Sequence, residues 1–197
     1  ALYLFYYICV YYICRIFKIK LNMITGKYPS LRLRRSRKNN WSRRLISENS
    51  LSPSDFILPI FLIEGKNKTQ TIKSMPGVYR YTIDRLGIIL NRAIKNDIPM
   101  VALFPYTSSK LKNDLGSEAL NEDNLVCRAI KYIKKRYKDK IGIMCDVALD
   151  PYTIHGHDGI LKSNKILNDE TIEILIQQSL LQAQMGCDVL APSDMMD

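Results

Sequence analysis

Cysteine is scarce and scattered in this chain of 197 residues. The sequence has no Cys-x-x-Cys pair and no zinc-finger spacing, which argues against a thiolate zinc site built from local motifs. An odd number of dispersed cysteines also argues against a disulfide framework. A reduced, cytoplasmic compartment is therefore expected. The five cysteines are Cys9, Cys14, Cys127, Cys145 and Cys187.

Long hydrophobic runs are also lacking. Residues 1–14 are apolar and aromatic, but a bilayer-spanning helix needs about 20 such residues. A secretory signal would have a basic segment before this run and a small-residue cleavage site after it, and neither is found. We therefore expect no membrane contact. We also expect residues 1–22 to lie outside the mature fold, with Met23 as the true start.

Acidic residues are missing from one strongly basic segment, although the charged fraction of 24% is ordinary. This segment accounts for much of the net charge of +10 and could contact nucleic acid or an anionic membrane. Alternatively, it is a solvated arm or docks on a partner subunit. Leu31, Leu33, Trp41 and Leu45 lie among the charges and favour packing. Since no nucleic-acid fold signature accompanies them, we interpret residues 23–50 as a basic N-terminal arm that does not bind nucleic acid. The basic residues are Arg32, Arg34, Arg35, Arg37, Lys38, Arg43 and Arg44.

Strand and helix patterns alternate from Leu51 onward. Four short apolar runs predict strands, and continuous apolar strands are typical of a parallel sheet buried on both faces. No glycine-rich phosphate loop follows the first run, which disfavours a dinucleotide-binding fold. Periodicity alone leaves a doubly wound sheet and a (β/α)8 barrel open. The predicted strands cover residues 56–63, 99–104, 141–149 and 187–191.

Three helices are predicted between these strands, with Thr82, Asn121 and Asn168 as candidate N-caps. For the third helix, Gly186 is a natural stop. Its apolar face is predicted from residues spaced by three and four positions. These are Ile172, Leu175, Ile176, Leu180 and Ala183.

Polar residues follow each predicted strand, where a barrel has its active site. Asp146 lies inside the third strand, and a carboxylate there needs hydrogen bonds or a cation. His155 and His157 occupy the loop after this strand and could ligate a metal or bond to the backbone. Asp150 and Asp158 in the same loop favour a hard cation such as Mg²⁺ over zinc. The strand-end residues are Glu64, Tyr106, Thr107, Asp146, Asp150, Ser193 and Asp194.

Several motifs together resemble the delta-aminolevulinic acid dehydratase, or porphobilinogen synthase, family. The most specific are residues 145–159, Cys-Asp-Val-Ala-Leu-Asp-Pro-Tyr-Thr-Ile-His-Gly-His-Asp-Gly, and residues 191–197, Ala-Pro-Ser-Asp-Met-Met-Asp. The resemblance implies a (β/α)8 TIM barrel preceded by an extended arm. Residues 51–197 would form the first half of this barrel, with about four βα units. It also implies a homo-octamer that condenses two molecules of 5-aminolevulinate into porphobilinogen.

The resemblance also implies roles for particular residues. Zinc-dependent members carry three cysteines at the positions of Ala148, Asp150 and Asp158, so this chain resembles the aspartate-type branch. That branch implies dependence on Mg²⁺ or activity without the catalytic zinc. We expect Asp150 and Asp158 to be the metal ligands. Asp146 and Ser193 would contact the amino group of the second-bound substrate.

The family's two Schiff-base lysines fall on later strands, beyond Asp197. Lys162 and Lys165 match neither motif. We therefore expect this chain alone to be inactive, with unpaired edges on its first and fourth strands. Three interpretations remain open: the N-terminal part of a working enzyme, a non-catalytic remnant, or a half-barrel interaction protein that docks through the basic arm.

Overall fold

The computed structural model describes residues 26–197. The chain divides into two compact units between Ser50 and Leu51, and each is described by itself. The expectation for residues 1–22 falls outside the described residues. No helix within residues 26–197 is long and apolar enough to cross a bilayer.

The described part of the first unit is a short, largely exposed segment with one α-helix, α1 (Asn40–Leu45). The Arg43 guanidinium donates hydrogen bonds to the carbonyls of Arg37 and Lys38, at 3.1 and 3.3 Å. The apolar residues of the segment are exposed in the single chain, with Trp41 63% accessible. This unit therefore presents apolar and cationic side chains together.

The second unit is built on a six-stranded sheet in the order β2-β3-β1-β4-β5-β8. The pairs β1–β4, β4–β5 and β5–β8 are all parallel, which confirms the four predicted strands and their parallel arrangement. Strands β6 and β7 form a separate two-stranded sheet. The strands are β1 (Ile57–Ile63), β2 (Thr69–Thr71), β3 (Tyr79–Tyr81), β4 (Met100–Tyr106), β5 (Gly142–Val147), β6 (Ile160–Lys162), β7 (Lys165–Leu167) and β8 (Val189–Pro192).

One unpredicted hairpin, β2–β3, changes the expected edge of the sheet. β3 runs parallel to β1 and pairs with it at Phe61 and Leu62. The prediction that the first strand has an unpaired edge is therefore wrong for the carboxyl-terminal part of β1. Tyr79 and Tyr81 favour an extended backbone, and Gly77, at φ +81°, allows the turn before them.

Three helices cover one face of the parallel strands: α2 (Leu86–Lys95), α3 (Leu125–Tyr137) and α4 (Asn168–Gln184). Strand side chains alternate between faces, so every second residue meets the helices. The core between the sheet and α2 and α3 includes Ile60, Leu62, Leu86, Leu90, Val101, Leu103, Ala129, Ile130, Ile133, Ile143 and Cys145.

The helix starts differ from the predicted caps. Asn124, rather than Asn121, caps α3, because its Oδ1 accepts a hydrogen bond from the N–H of Cys127 at 2.8 Å. Thr82 instead bonds to the backbone of Lys68 and precedes a 3₁₀ turn, so α2 starts later. Asn168 is the first residue of α4 rather than its cap.

The predicted apolar face of α4 is wrong in part, although Leu175 packs against the buried cluster that contains Leu149 and Tyr152. Ile176 and Leu180 are 48% and 58% exposed, whereas Gln178 and Gln182 are buried against the sheet. The buried face is turned by about one residue, or roughly 100° around the helix axis. In this orientation Gln182 donates a hydrogen bond to the backbone of β5 at Asp146, and Gln178 donates one to Ala148, just after β5.

Candidate functional site

The carboxyl ends of β5 and β8 bring together two side chains predicted to bind substrate. The register pairs Asp146 with Ala191 and Val147 with Pro192, so Ser193 follows directly beside β5. The Ser193 hydroxyl donates a hydrogen bond to Asp146 Oδ1 at 2.6 Å. The parallel pairing of the two strands therefore creates this contact.

Asp146 is half-buried, between two neighbours whose side chains lie in the core. Burial raises the pKa of this carboxyl above its usual value, and the negative charge of Asp158 raises it further. The hydrogen bond from Ser193 acts in the opposite direction. A cationic group placed beside Asp146 would stabilise its ionised form.

A second cluster of carboxylates lies at the same strand ends. Oxygen atoms of Asp150, Asp158 and Asp194 all lie within 4.8 Å of one another. Asp194 Oδ2 accepts a hydrogen bond from the N–H of Leu149 at 3.2 Å. Asp194 Oδ1 is buried and has no protein partner within the described residues. This arrangement unites the two predicted metal ligands with a third carboxylate that the sequence analysis placed only at a strand end.

Burial, together with neighbouring negative charges, raises the pKa values of two carboxyl groups in this cluster, Asp150 and Asp194. For Asp194 the pKa rises to about 6, because the group is desolvated and faces the charges of Asp158, Asp150 and Asp146. Burial raises the pKa of Asp150 as well, with further increases from Asp146 and Asp158, while Lys112 opposes the shift. Such crowding favours either protonation or a bound cation.

The loop that carries Asp158 is shaped by the β6–β7 hairpin. Ser163 and Asn164 both have positive φ, as in the tight turns that suit a two-residue hairpin loop. Gly159 also has a positive φ, and a Cβ there would lie 2.8 Å from Met196 Cε. Close packing at this glycine therefore keeps Asp158 beside the segment that follows β8.

The two histidines of this loop lie outside the carboxylate group. His155 Nδ1 accepts a hydrogen bond from the N–H of His157 at 3.1 Å. The two rings stack with their centroids 5.9 Å apart. Within residues 26–197, the group of ligand atoms close enough to hold one ion consists of aspartates alone. Of the two alternatives, the geometry of His155 fits backbone bonding.

The polar ends of β1 and β4 do not join either cluster. Glu64 forms an ion pair with Arg128 on α3. The Arg80 guanidinium lies over the Tyr106 ring, 4.5 Å from its centroid. Only the ends of β5 and β8, with the loop after β5, form the candidate site within the described residues.

Most of the chain matches a known protein family. The family model described as "Delta-aminolevulinic acid dehydratase" matches residues 30–197. The chain belongs to the delta-aminolevulinic acid dehydratase family. The match includes β5, β8 and every residue of the two clusters.

Curated members of the delta-aminolevulinic acid dehydratase family match the same part of the chain. The protein from Bradyrhizobium diazoefficiens is 53% identical over 168 residues, which is 85% of this chain and 47% of that protein. The protein from Chlamydia pneumoniae is 42% identical, over 85% of this chain and 50% of its own length. The chain thus spans about half the length of these curated relatives.

A solved structure supports the fold. The delta-aminolevulinic acid dehydratase from Toxoplasma gondii, in complex with the reaction product porphobilinogen, superposes with a TM-score of 0.79 at 39% identity. The match covers 85% of this chain and 47% of that one. The parallel sheet is therefore part of the family's (β/α)8 barrel, as predicted.

Proposed function

We propose that this chain supplies part of the active site of a porphobilinogen synthase of the aspartate type. The reaction condenses two molecules of 5-aminolevulinate into porphobilinogen with loss of two waters. The hydrogen bond between Ser193 and Asp146 carries the proposal, because it places a carboxylate and a hydroxyl at adjacent strand ends. Membership of the family supplies the reaction.

In the proposed role, Asp146 and Ser193 bind the amino group of the second substrate molecule. The ionised Asp146 carboxylate accepts hydrogen bonds from the substrate ammonium, and charge-assisted bonds of this kind are stronger than neutral ones. The Ser193 hydroxyl holds the carboxylate in place. Because burial raises the pKa of Asp146, the arriving ammonium also favours the ionised form.

The two Schiff-base lysines are proposed to lie in the half of the family's sequence that this chain does not span. Lys162 and Lys165 lie on the β6–β7 hairpin with exposed side chains, which suits neither for covalent catalysis. Residues 1–197 alone would thus bind substrate without converting it. A non-catalytic remnant or a half-barrel interaction protein is the alternative.

The substrate site is tested by assaying porphobilinogen formation with the full gene product. Removing a hydrogen bond to a charged group costs roughly 1.5–3 kcal/mol. Ser193→Ala and Asp146→Asn should therefore lower kcat/KM roughly 10- to 100-fold. Ser109→Ala and Asp139→Asn are matched controls on exposed residues and should leave it unchanged. Wild-type kinetics in Ser193→Ala and Asp146→Asn would contradict the assignment.

We further propose that Asp150, Asp158 and Asp194 hold Mg²⁺. Three carboxylates supply the hard oxygen donors that Mg²⁺ prefers, and Ala148 offers no thiolate for zinc. A bound Mg²⁺ would act as a Lewis acid toward a substrate oxygen. The protein's part is to hold the three carboxylates at the ends of β5 and β8.

Titration calorimetry with Mg²⁺ and with Zn²⁺ tests this assignment directly. Because the number of charged ligands sets the affinity, Asp150→Asn and Asp158→Asn should each weaken Mg²⁺ binding by roughly tenfold or more. Asp139→Asn is the surface control. A preference for Zn²⁺, or unchanged Mg²⁺ affinity in Asp150→Asn and Asp158→Asn, would refute the Mg²⁺ site.

The basic arm, residues 23–50, is proposed to dock on a neighbouring subunit within a homo-octamer. Leu33, Trp41 and Leu45 support this, since their side chains are 76%, 63% and 77% exposed in the single chain. The protein is proposed to work in the cytoplasm. Its thiols at Cys127, Cys145 and Cys187 are free, which suits a reducing compartment.

A further inference from the structure

Helix α4 buries two glutamines where apolar residues would be expected. Gln178 and Gln182 are 1% and 3% exposed, and Leu181 between them is also buried. Burying an amide costs free energy unless it is hydrogen-bonded, whereas a leucine at the same place would stabilise the fold. Two polar side chains thus occupy buried positions where packing alone would favour apolar side chains.

Both glutamines donate to backbone carbonyls at the carboxyl end of β5. Gln182 Nε2 donates to the carbonyl of Asp146 at 2.9 Å. Gln178 Nε2 donates to the carbonyl of Ala148 at 3.2 Å. These carbonyls belong to the segment that delivers Asp146 and Asp150 to the site. The glutamines therefore hold that segment from the helix layer.

Pro105 explains why the Asp146 carbonyl takes a side-chain donor. The β4–β5 register pairs Leu103 with Cys145, and its continuation brings Pro105 opposite Val147. In a parallel pair, the residue opposite Val147 would donate its N–H to the carbonyl of Asp146. Proline has no N–H, so the strand cannot supply this bond. Gln182 supplies it from α4.

We propose that Gln182 is a positioning residue for the substrate-binding carboxylate, with Gln178 supporting the same segment, an inference that rests on the function proposed above. Asp146 is held from two sides. Gln182 fixes its carbonyl, and Ser193 fixes its carboxylate at 2.6 Å. Loss of the Gln182 amide frees the peptide that sets the direction of the Asp146 side chain. Substrate binding weakens as a result.

The test compares Gln182→Met with Gln184→Met in the full gene product, with kcat and KM for 5-aminolevulinate as the readout. Gln184 lies on the same helix with an exposed side chain and serves as the matched control. Methionine removes the donor and also the buried Gln182 Oε1, which has no protein partner within the described residues. We expect KM to rise and kcat/KM to fall at least about fivefold in Gln182→Met, with the unfolding midpoint within about 3 °C of wild type. Gln184→Met should match wild type in both.

A second variant, Gln182→Glu, separates hydrogen bonding from packing. A protonated glutamic acid can donate to the Asp146 carbonyl, whereas the ionised form cannot, and burial favours the protonated form. The ratio of its kcat/KM to that of wild type should therefore fall as pH rises. A ratio that rises with pH would overturn the positioning role, as would wild-type kinetics in Gln182→Met. A loss of activity that simply follows a lowered unfolding temperature would overturn it too.

The wild-type assay keeps the two proposals distinguishable. If the full wild-type gene product forms no porphobilinogen, the proposed function fails. If wild type is active and Gln182→Met is equally active at all substrate concentrations, only the positioning role fails.

Discussion

Asp194 is a carboxyl group of the site whose pKa is clearly raised by its surroundings. Its pKa is raised from 3.8 to about 6, with desolvation as the main cause. A carboxyl whose pKa is higher in the folded than in the unfolded chain favours folding below the unfolded value. That contribution is lost as pH rises through the folded value. Around neutral pH, the ionised Asp194 therefore opposes folding of the metal-free chain.

Asp194→Asn should stabilise the metal-free chain at pH 7 and not at pH 4. The amide removes the charge that the cluster repels, while its oxygen can still accept from the N–H of Leu149. Because solvent screens a half-buried group, we expect a gain of roughly 1 kcal/mol rather than the full value of the pKa shift. Urea unfolding of both proteins in EDTA, between pH 4 and pH 7, measures the difference.

Mg²⁺ should make wild type more stable to unfolding than Asp194→Asn at pH 7, because a ligand that binds the folded state stabilises it. Wild type should gain more from Mg²⁺ than Asp194→Asn does. Equal unfolding free energies of the two proteins at every pH would show that Asp194 is not electrostatically strained.

The sequence predicted part of this site residue by residue. Asp146 and Ser193 could be placed at strand ends because the apolar runs marked the strands, and the structure brings them into contact. Asp194 was recognised only as a strand end, because its proximity to Asp150 depends on how the loop folds back. Gln182 gave no signal, since its role depends on the rotation of α4 and on the missing N–H of Pro105.

Among the elements, α3 has an N-cap that the sequence alone does not identify, because two asparagines precede the helix. Two asparagines lie three residues apart, and each bonds to a backbone N–H. Asn121 Oδ1 accepts from Asp123 in the preceding turn, and Asn124 Oδ1 accepts from Cys127 in the helix. Asn124 is 3% exposed, and its amide also donates to the carbonyls of Glu118 and Ala119.

Asn124→Ala should destabilise the second unit by about 1–2 kcal/mol, because it removes a helix cap and the side-chain hydrogen bond to the buried carbonyl of Ala119. Asn121→Ala is the matched control and should cost less than about half of that, since its contacts are exposed. Thermal and urea unfolding of both variants check this. A larger loss in Asn121→Ala would reverse the assignment of the cap.

The arm offers a second prediction at this scale, through the single tryptophan of the chain. If residues 23–50 dock on a neighbouring subunit, Trp41 fluorescence should shift to the blue as the protein assembles, because the indole leaves water. Leu45→Asp should abolish the shift and lower the mass measured by light scattering. Ser36→Asp, at an exposed residue of the arm, controls for the one added negative charge. An unshifted spectrum in an assembled oligomer would exclude docking through Trp41.

Elements were predicted unevenly, for a physical reason. The four predicted strands are short but continuous apolar runs, so their hydrophobicity alone indicates them. The hairpins β2–β3 and β6–β7 consist of three-residue strands, too short to show a period. Their positions are fixed by backbone pairing between the two strands and, in β6–β7, by positive φ at Ser163 and Asn164, and neither leaves a hydrophobic pattern in the sequence.

For the whole molecule, the decisive fact is that the chain spans about half the length of its curated relatives. We expect residues 1–197, expressed alone, to form no porphobilinogen, since the proposed Schiff-base lysines belong to the other half of the family's sequence. Co-expression with the half of the Bradyrhizobium diazoefficiens protein that this chain does not match should restore activity. Its 53% identity makes compatible packing reasonable.

Ser193→Ala in the same co-expression should lower the restored activity, which shows that the site is built from both pieces. Porphobilinogen formation by residues 1–197 alone would contradict the placement of the lysines. Restored activity that does not respond to Ser193→Ala would contradict the role of β8.

The hydrogen bond between Ser193 and Asp146 joins residues 47 positions apart, and the one between Asp194 and Leu149 joins residues 45 apart. Contacts of such high sequence separation require long loops to close and tend to form slowly. The proposed substrate-binding pair therefore forms only when β8 pairs with β5. In a refolding experiment, recovery of 5-aminolevulinate binding should lag behind recovery of the helical circular dichroism signal. Substrate binding would then mark a late stage of folding.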